Sequence, residues 1–283
     1  MTEQDYKDMI EDMSREEKGP KKFWSPAEGK NVIRILPPLK PIGEKLFYFH
    51  HKTHWIAGKP FESLNQQIID VDGNVHTPRM SVIDKAAQKF WNAGEKGSDE
   101  WKIAAALSAS DRYIYRVVVR GGSDEKLPQF YESGPQIFKV LKGLVMEGEY
   151  GNIVDPLTGR DFYLIKEGKG KNTNYDQSKI GPSEKQIFES KEDIKALLTK
   201  ASEMKYNSLI TLSSESDMQD ALDAFFESKG ISTKGYVSGG SAPAKKVDDE
   251  DFEIKPKTVV KPAIKPVQET SSDDVDDLLK DFL

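Results

Sequence analysis

The spacing of apolar and polar positions changes several times along this 283-residue chain. Residues 31–36 (NVIRIL) form a short apolar run closed by Pro37-Pro38, the mark of a strand end. In a strand, Val32, Arg34 and Leu36 share one face and Ile33 and Ile35 the other, so Arg34 interrupts an apolar side. Residues 45–51, with Phe47-Tyr48-Phe49 in sequence, predict a second strand. From Asp70 to Ser110 the period becomes helical. Val82, Ala86, Phe90 and Trp91 stop at Gly94, and Ser98 precedes a second helix through Ala104, Ala105 and Leu107. Alternation returns over 111–120, setting Arg112, Ile114, Arg116, Val118 and Arg120 against Tyr113, Tyr115, Val117 and Val119. Residues 129–131 and 134–138 lead into a helix through Leu141, Leu144 and Val145, and 161–166 predict a further strand. Two helices follow. One carries Ile187, Phe188, Ile194, Leu197 and Leu198; the other runs from about Ser214 through Met218, Ala221, Leu222, Phe225 and Phe226 to Lys229-Gly230. The pattern is that of an α+β chain with a mainly β core.

Both ends depart from this pattern. Residues 1–20 are charged, with Tyr6, Met9, Ile10 and Met13 as a narrow apolar stripe, and predict an acidic N-terminal arm or helix. From residue 238 to 270 Gly, Pro, Lys and Asp dominate, which predicts a semi-extended linker. The last thirteen residues, 271–283, are acidic and amphipathic together: five Asp stand against one Lys, while Val275, Leu278, Leu279, Phe282 and Leu283 recur at the spacing of one helical face. So short a helix is marginal alone, so the segment reads as a tail that folds on a partner with a basic-rimmed apolar groove. Its candidate contacts are Asp273, Asp274, Asp276, Asp277, Leu278, Leu279, Phe282 and Leu283. A solvated end that merely aids solubility is the plainer alternative.

Charge sharpens the division. The whole chain carries −6, but residues 1–20 and 238–283 carry −4 each, so the body of 21–237 is slightly basic. An acidic total therefore does not exclude a polyanionic partner. There is no cysteine, which removes disulfides, thiol catalysis and thiolate metal sites. All four histidines, His50, His51, His54 and His76, fall in one stretch, yet without Cys a closed zinc site lacks ligands and no cofactor is expected. No nucleophile elbow, HExxH helix or phosphate-loop pattern occurs, so an enzyme is not expected; Lys166–Lys171 alternates Gly and Lys but lacks the GxxxxGK[ST] spacing. Residues 1–5 lack the regions of a signal peptide, and no apolar run approaches membrane-spanning length.

Cations and rings alternate over 112–120, 129–142 and 163–179. Single-stranded nucleic acid asks for this combination, with Lys and Arg on phosphates and aromatic faces under unpaired bases. Ordinary strand propensity, with Tyr filling a half-buried sheet face, produces the same alternation.

Residues 32–37 (VIRILP), residues 174–180 (NYDQSKI) and the terminal DDVDDLLKDFL together, and in this order, resemble the single-stranded-DNA-binding, or helix-destabilising, proteins of T-even-type tailed bacteriophages. The resemblance implies an OB-fold barrel with an inserted helical subdomain at about 50–110, additional C-terminal helices, and a basic cleft. It implies non-sequence-specific coating of single-stranded DNA in replication, recombination and repair, in the cytoplasm of a bacterial host. Replication or recombination proteins would be recruited through the tail, with self-association along the DNA. Carried over by local alignment, Arg34, Arg112, Tyr113, Tyr131 and Tyr175 would contact DNA; Tyr115, Arg116, Lys139, Lys166, Lys169, Lys171 and Lys179 complete the candidate set from the alternating and basic segments. Two departures stand out. The family's zinc ligands are missing, so the insert is expected to be held by packing around Phe90, Trp91 and Trp101, and the arm that is basic in the family is acidic here. An OB-like adaptor that binds protein rather than DNA is the competing expectation.

Overall fold

A computed structural model describes residues 22–70, 72–122 and 124–231. The arm 1–20, the linker and the acidic tail lie outside the described residues.

The spine of the fold is one long strand. β6 (Ser110–Val119) shares one edge between two partners: β2 (Tyr48–Ile56) pairs with its first half, Tyr48 opposite Tyr115, and β1 (Gly29–Ile35) with its second, Ile35 opposite Val117. β7 (Gln129–Ser133) runs along the opposite edge, Tyr131 opposite Tyr115. β3 (Lys59–Glu62) extends the sheet beyond β2, and β8 (Phe162–Lys166) and β9 (Lys179–Ile180) extend it beyond β1. The order β3-β2-β6-β1-β8-β9, with β7 on β6, is antiparallel throughout and has no pairing between its ends. The sheet is therefore open where the sequence resemblance implied a closed barrel. β4 (Ile68–Ile69) and β5 (Val75–His76) form a separate small hairpin. Strand β2 begins later than expected and continues to Ile56, where Ala57-Gly58 turns it into β3 with positive φ at both residues. That two-residue geometry matches the twist of the flanking strands.

The helices fall close to where the period predicts them, except that Ile187 and Phe188, expected in the first of the two C-terminal helices, precede it in the chain. α1 (Val82–Ala93) opens on a reciprocal capping box between Ser81 and Asp84, and α2 (Asp99–Leu107) on Ser98, whose hydroxyl accepts from the Trp101 amide. Each satisfies amides that the helix leaves unpaired, a contribution of about 1 kcal/mol. α3 (Pro135–Glu147) starts one residue after Gly134, so residues 135–138 are its first turn rather than the approach to it. α4 (Lys191–Glu203) lies on the far side of the sheet, and α5 (Glu215–Ser228) begins with a second capping box at Ser214.

Three larger apolar cores result, beside a small cluster of Ile114, Phe130 and Tyr206. α3 presses Ile137 and Leu141 onto the sheet face that carries Tyr113, Tyr115, Val117, Ile33, Ile35 and Phe162. α4 buries Ile194, Leu197, Leu198 and Ala201 against Leu36, Leu39 and Val118 on the other. The third core joins α1 and α2 to Ile56, Phe61 and the C-terminal α5, whose Met218, Leu222 and Phe226 are buried there. Phe90 and Phe226 meet with ring centres 5.8 Å apart; truncating either to Ala would cost about 3–5 kcal/mol. The insert is thus not held by Phe90, Trp91 and Trp101 alone. Trp91 is 39% exposed and meets Trp101 edge-on at its outer side, while α5 supplies the interior. Among the described residues no helix is long and apolar enough to cross a membrane.

Candidate nucleic-acid interface

Alternation in β6 decides where each candidate side chain goes. Tyr113 and Tyr115 face α3 together with Tyr48 and His50 of β2 and Tyr131 of β7; Arg112 and Arg116 face the other way, with Phe49, His51, Phe130 and Glu132. The tyrosines and arginines of β6 named together as DNA contacts are therefore separated by the thickness of the sheet, as the alternation predicts.

Two of the arginines are interior. Arg34 is fully buried: its Nε donates to Asp161 at 3.0 Å, one terminal nitrogen to the Asp155 carbonyl at 3.2 Å, and the other to the Lys185 carbonyl. Burial pulls its pKa below the usual guanidinium value, and Asp161 opposes that shift. Gly159 makes the fit possible, since a Cβ there would stand 2.7 Å from Arg34 Nη1 and 2.3 Å from the Asp155 carbonyl. Arg116 is buried as well, with Nη1 on both Glu44 oxygens at 2.7–2.8 Å, two donors on the Met204 carbonyl, and its guanidinium 4.0 Å from the Tyr206 ring centre. A guanidinium with its fork filled by internal acceptors cannot also neutralise a phosphate, so the assignment of Arg34 and Arg116 to DNA is corrected on that ground. Arg112 is different: half-buried, it has no hydrogen-bond or ion-pair partner among the described residues.

The tyrosine face forms a continuous row of rings. Trp24 meets Tyr131 edge-on at 5.4 Å, Tyr131 stacks on Tyr115 at 6.1 Å, and Tyr115 on Phe47 at 6.4 Å. Phe47 leads to Tyr48 at 5.4 Å, Tyr48 to Phe138 at 5.0 Å, and Phe138 lies flat on Tyr113 at 3.8 Å, with His50 on the opposite side of Tyr113 at 4.8 Å. Within this row Tyr113, Tyr115 and Tyr131 are buried and cannot offer a face to a base. Burial also raises the Tyr115 and Tyr131 phenols far above their ordinary value, which keeps them neutral. The accessible rings are instead the exposed His50 and the half-buried Trp24, Phe47, Tyr48, Phe138 and, beside the row, Tyr175. Only Tyr175 was in the sequence-derived set. The others had a signal: Phe47-Tyr48-Phe49 is a run of three rings at the start of β2, and Phe23-Trp24 directly follows Lys21-Lys22.

Lysines border the row. Lys139 is exposed one residue beyond Phe138, with no carboxylate partner among the described residues. Gln136, one turn earlier on α3, donates to Asn174 at 2.7 Å and to Asp176 at 2.8 Å and so fixes the loop that carries Tyr175. Lys166 donates to the Pro26 carbonyl at 3.2 Å near Trp24. Lys169 is exposed and 3.7 Å from Glu28, Lys171 lies in the 3₁₀ turn Gly170–Asn172, and Lys179 is exposed on β9 opposite Tyr163.

The histidines do not converge. His50 pairs with Asp111 at 2.7 Å, His76 with Asp70 at 2.8 Å, and His54 is buried between the Leu107 carbonyl at 2.7 Å and Asp84 at 3.3 Å. His51 sits between Glu62, 3.0 Å from Nδ1, and Glu132, 3.3 Å from Nε2. Burial opposes its charge, but Glu132 and Glu62 outweigh that and raise its pKa to about 9. Among the described residues no group of three or more His, Asp or Glu is arranged to hold a metal ion. The chain matches no protein-family model, and a search among curated proteins returns no match.

Proposed function

We propose that this chain binds single-stranded DNA along the aromatic row between α3 and β2, without a catalytic step. The observation that carries the reading is the row itself: eight rings from Trp24 to His50 in unbroken contact, four of them half-buried and His50 exposed, with Lys139 and Lys166 at its border. Stacking on such rings contributes about 1–3 kcal/mol per base and is indifferent to base identity, while the lysines displace counterions from phosphates. The buried tyrosines hold the accessible rings in place. In this reading the antiparallel sheet is an open form of the OB barrel, with the segment between β2 and β6 as its inserted subdomain.

The tail 271–283 is proposed as the segment that recruits replication or recombination proteins, its Leu and Phe side chains entering a partner's groove. Deleting it should leave DNA affinity undiminished and abolish recruitment; weaker DNA binding by a folded truncation would contradict this.

Titration of intrinsic fluorescence with oligo(dT) at several salt concentrations, beside duplex DNA of equal length, tests the central claim. Strong quenching by the single strand with a steep salt slope is expected. Absence of binding at low salt would overturn it. Labelled DNA incubated with divalent cations should remain intact.

A further inference from the structure

The arginine face of the sheet carries a cavity of about 310 Å³ that the aromatic row does not reach. This is the lower end of ligand-pocket size, suited to one heterocycle rather than a large molecule. Trp55, 59% exposed, and Phe23 give it flat apolar walls, and Lys22 stands at its border. Arg112 lines it with a fork of donors that has no partner among the described residues.

The acceptors in the cavity are not equivalent. Both Glu62 oxygens lie 3.0–3.1 Å from His51 Nδ1, and one also accepts from Gln66 at 2.7 Å, so Glu62 is committed. Glu132 presents only Oε1 to His51, at 3.3 Å; its Oε2 has no partner among the described residues. His51 Nε2 thus stands behind Glu132 at ion-pair distance without completing a hydrogen bond, so both oxygens of that carboxylate can still accept, beside an Arg112 fork with no partner among the described residues.

We propose that this cavity receives a single unstacked base from the bound strand and prefers guanine. Guanine alone offers two adjacent donors, N1–H and the N2 amino group, for a carboxylate, and two adjacent acceptors, O6 and N7, for an arginine fork. Thymine has one N–H donor and no amino group; cytosine and adenine have an amino group with no ring N–H donor beside it. Trp55 and Phe23 would flank the base plane, and Lys22 would meet its phosphate. His51 is a positioning residue here.

The chain itself connects the two faces. Trp24 donates its amide to the Phe130 carbonyl at 2.7 Å and bridges to Tyr131, with its ring in the aromatic row, while the preceding Phe23 lines the cavity. A strand leaving the row over β7 at Trp24 meets the cavity next. The inference rests on the single-strand reading above, and adds a base preference at one position to an otherwise indifferent surface.

The test compares octathymidylate with the same oligomer carrying one central dG, dC or dA, by fluorescence titration of the full chain and of E132Q, R112Q and W55F. Guanine should tighten binding about tenfold. E132Q and R112Q should each remove that gain while retaining oligo(dT) affinity to within a few-fold, and W55F should lose the part of the quenching specific to dG. Equal affinity for all four oligomers would overturn the guanine pocket and leave the single-strand reading standing. A dG preference undiminished in both E132Q and R112Q would also overturn it, placing recognition elsewhere. No binding of any oligomer would end both. Circular dichroism of each variant identifies loss of fold, and R112Q, which breaks no internal pair, keeps the test decisive if E132Q is unstable.

Discussion

Replacing Arg34 by Met separates a structural role from a DNA-binding one. The substitution preserves much of the side chain's volume but removes every donor. The Asp155 and Lys185 carbonyls lose their partner in a region closed to water, and Asp161 loses the 3.0 Å contact to Nε. Severing a buried ion pair by deleting one member costs about 3–5 kcal/mol. Asp161 keeps a second cation, Arg120 Nη2 at 3.1 Å, so its charge is not abandoned. The loss should therefore sit near the lower end, about 3 kcal/mol. Urea denaturation followed by circular dichroism measures it as a lowered midpoint with an unchanged slope. Oligo(dT) titration of the folded variant supplies the second arm, since an arginine on a phosphate would reduce the salt slope for a single strand by about 0.7. An unchanged slope with a large stability loss is expected. A stability loss below about 1 kcal/mol together with a reduced slope would place Arg34 on the DNA instead, because that is the signature of an exposed phosphate ligand.

Gly159→Ala drives a methyl group into Arg34 Nη1 and two carbonyl oxygens, and should destabilise by roughly 1–3 kcal/mol in the same denaturation assay. His51 has its pKa raised to about 9 in the folded state. Its contribution, about 3 kcal/mol from a shift of that size, is fully present below pH about 6.5 and is lost as pH rises through about 9; unfolding free energies across that window should fall for the natural chain and stay flatter in His51→Gln. Tyr48→Ala should weaken oligo(dT) binding by about 1–3 kcal/mol with the salt slope retained, whereas Lys139→Ala should lower the slope by about 0.7 with a smaller loss at low salt. Both are read by fluorescence titration, and identical effects from the two substitutions would argue against a division between stacking and phosphate contacts.

The helices were legible because their signals are local: Ser81, Ser98 and Ser214 cap where Ser precedes an apolar period, and each end falls within a few residues of the expected one. The strands of the spine were legible too, including the separation of Tyr113 and Tyr115 from Arg112 and Arg116. That separation already argued against a single Tyr–Arg surface, since a period of two sends neighbours to opposite faces. What the pattern did not contain was burial. Nothing local distinguishes Arg116, whose partners Glu44 and Met204 are remote in sequence, from the uncommitted Arg112 four residues earlier. Tyr113 and Tyr131 look like stacking residues until α3 and Trp24 are placed against them. The accessible rings, Phe47, Tyr48 and Phe138, belong to elements whose orientation depends on the same long-range packing.

The joining of α5 to the inserted helices has a consequence for how the protein is made. On the ribosome, residues 82–107 emerge well before the segment that completes their core, and Phe90 waits for Phe226 while more than half of the described chain is still to be synthesised. During that interval the apolar sides of α1 and α2 have only the partial cover of the earlier Ile56, Phe61, Leu64 and Ile68, and incompletely covered apolar surface is the condition under which chaperones engage nascent chains. Expression fragments that stop before Glu215 would reproduce this exposed intermediate as their end state, so a fragment with a closed core has to retain the chain through Ser228.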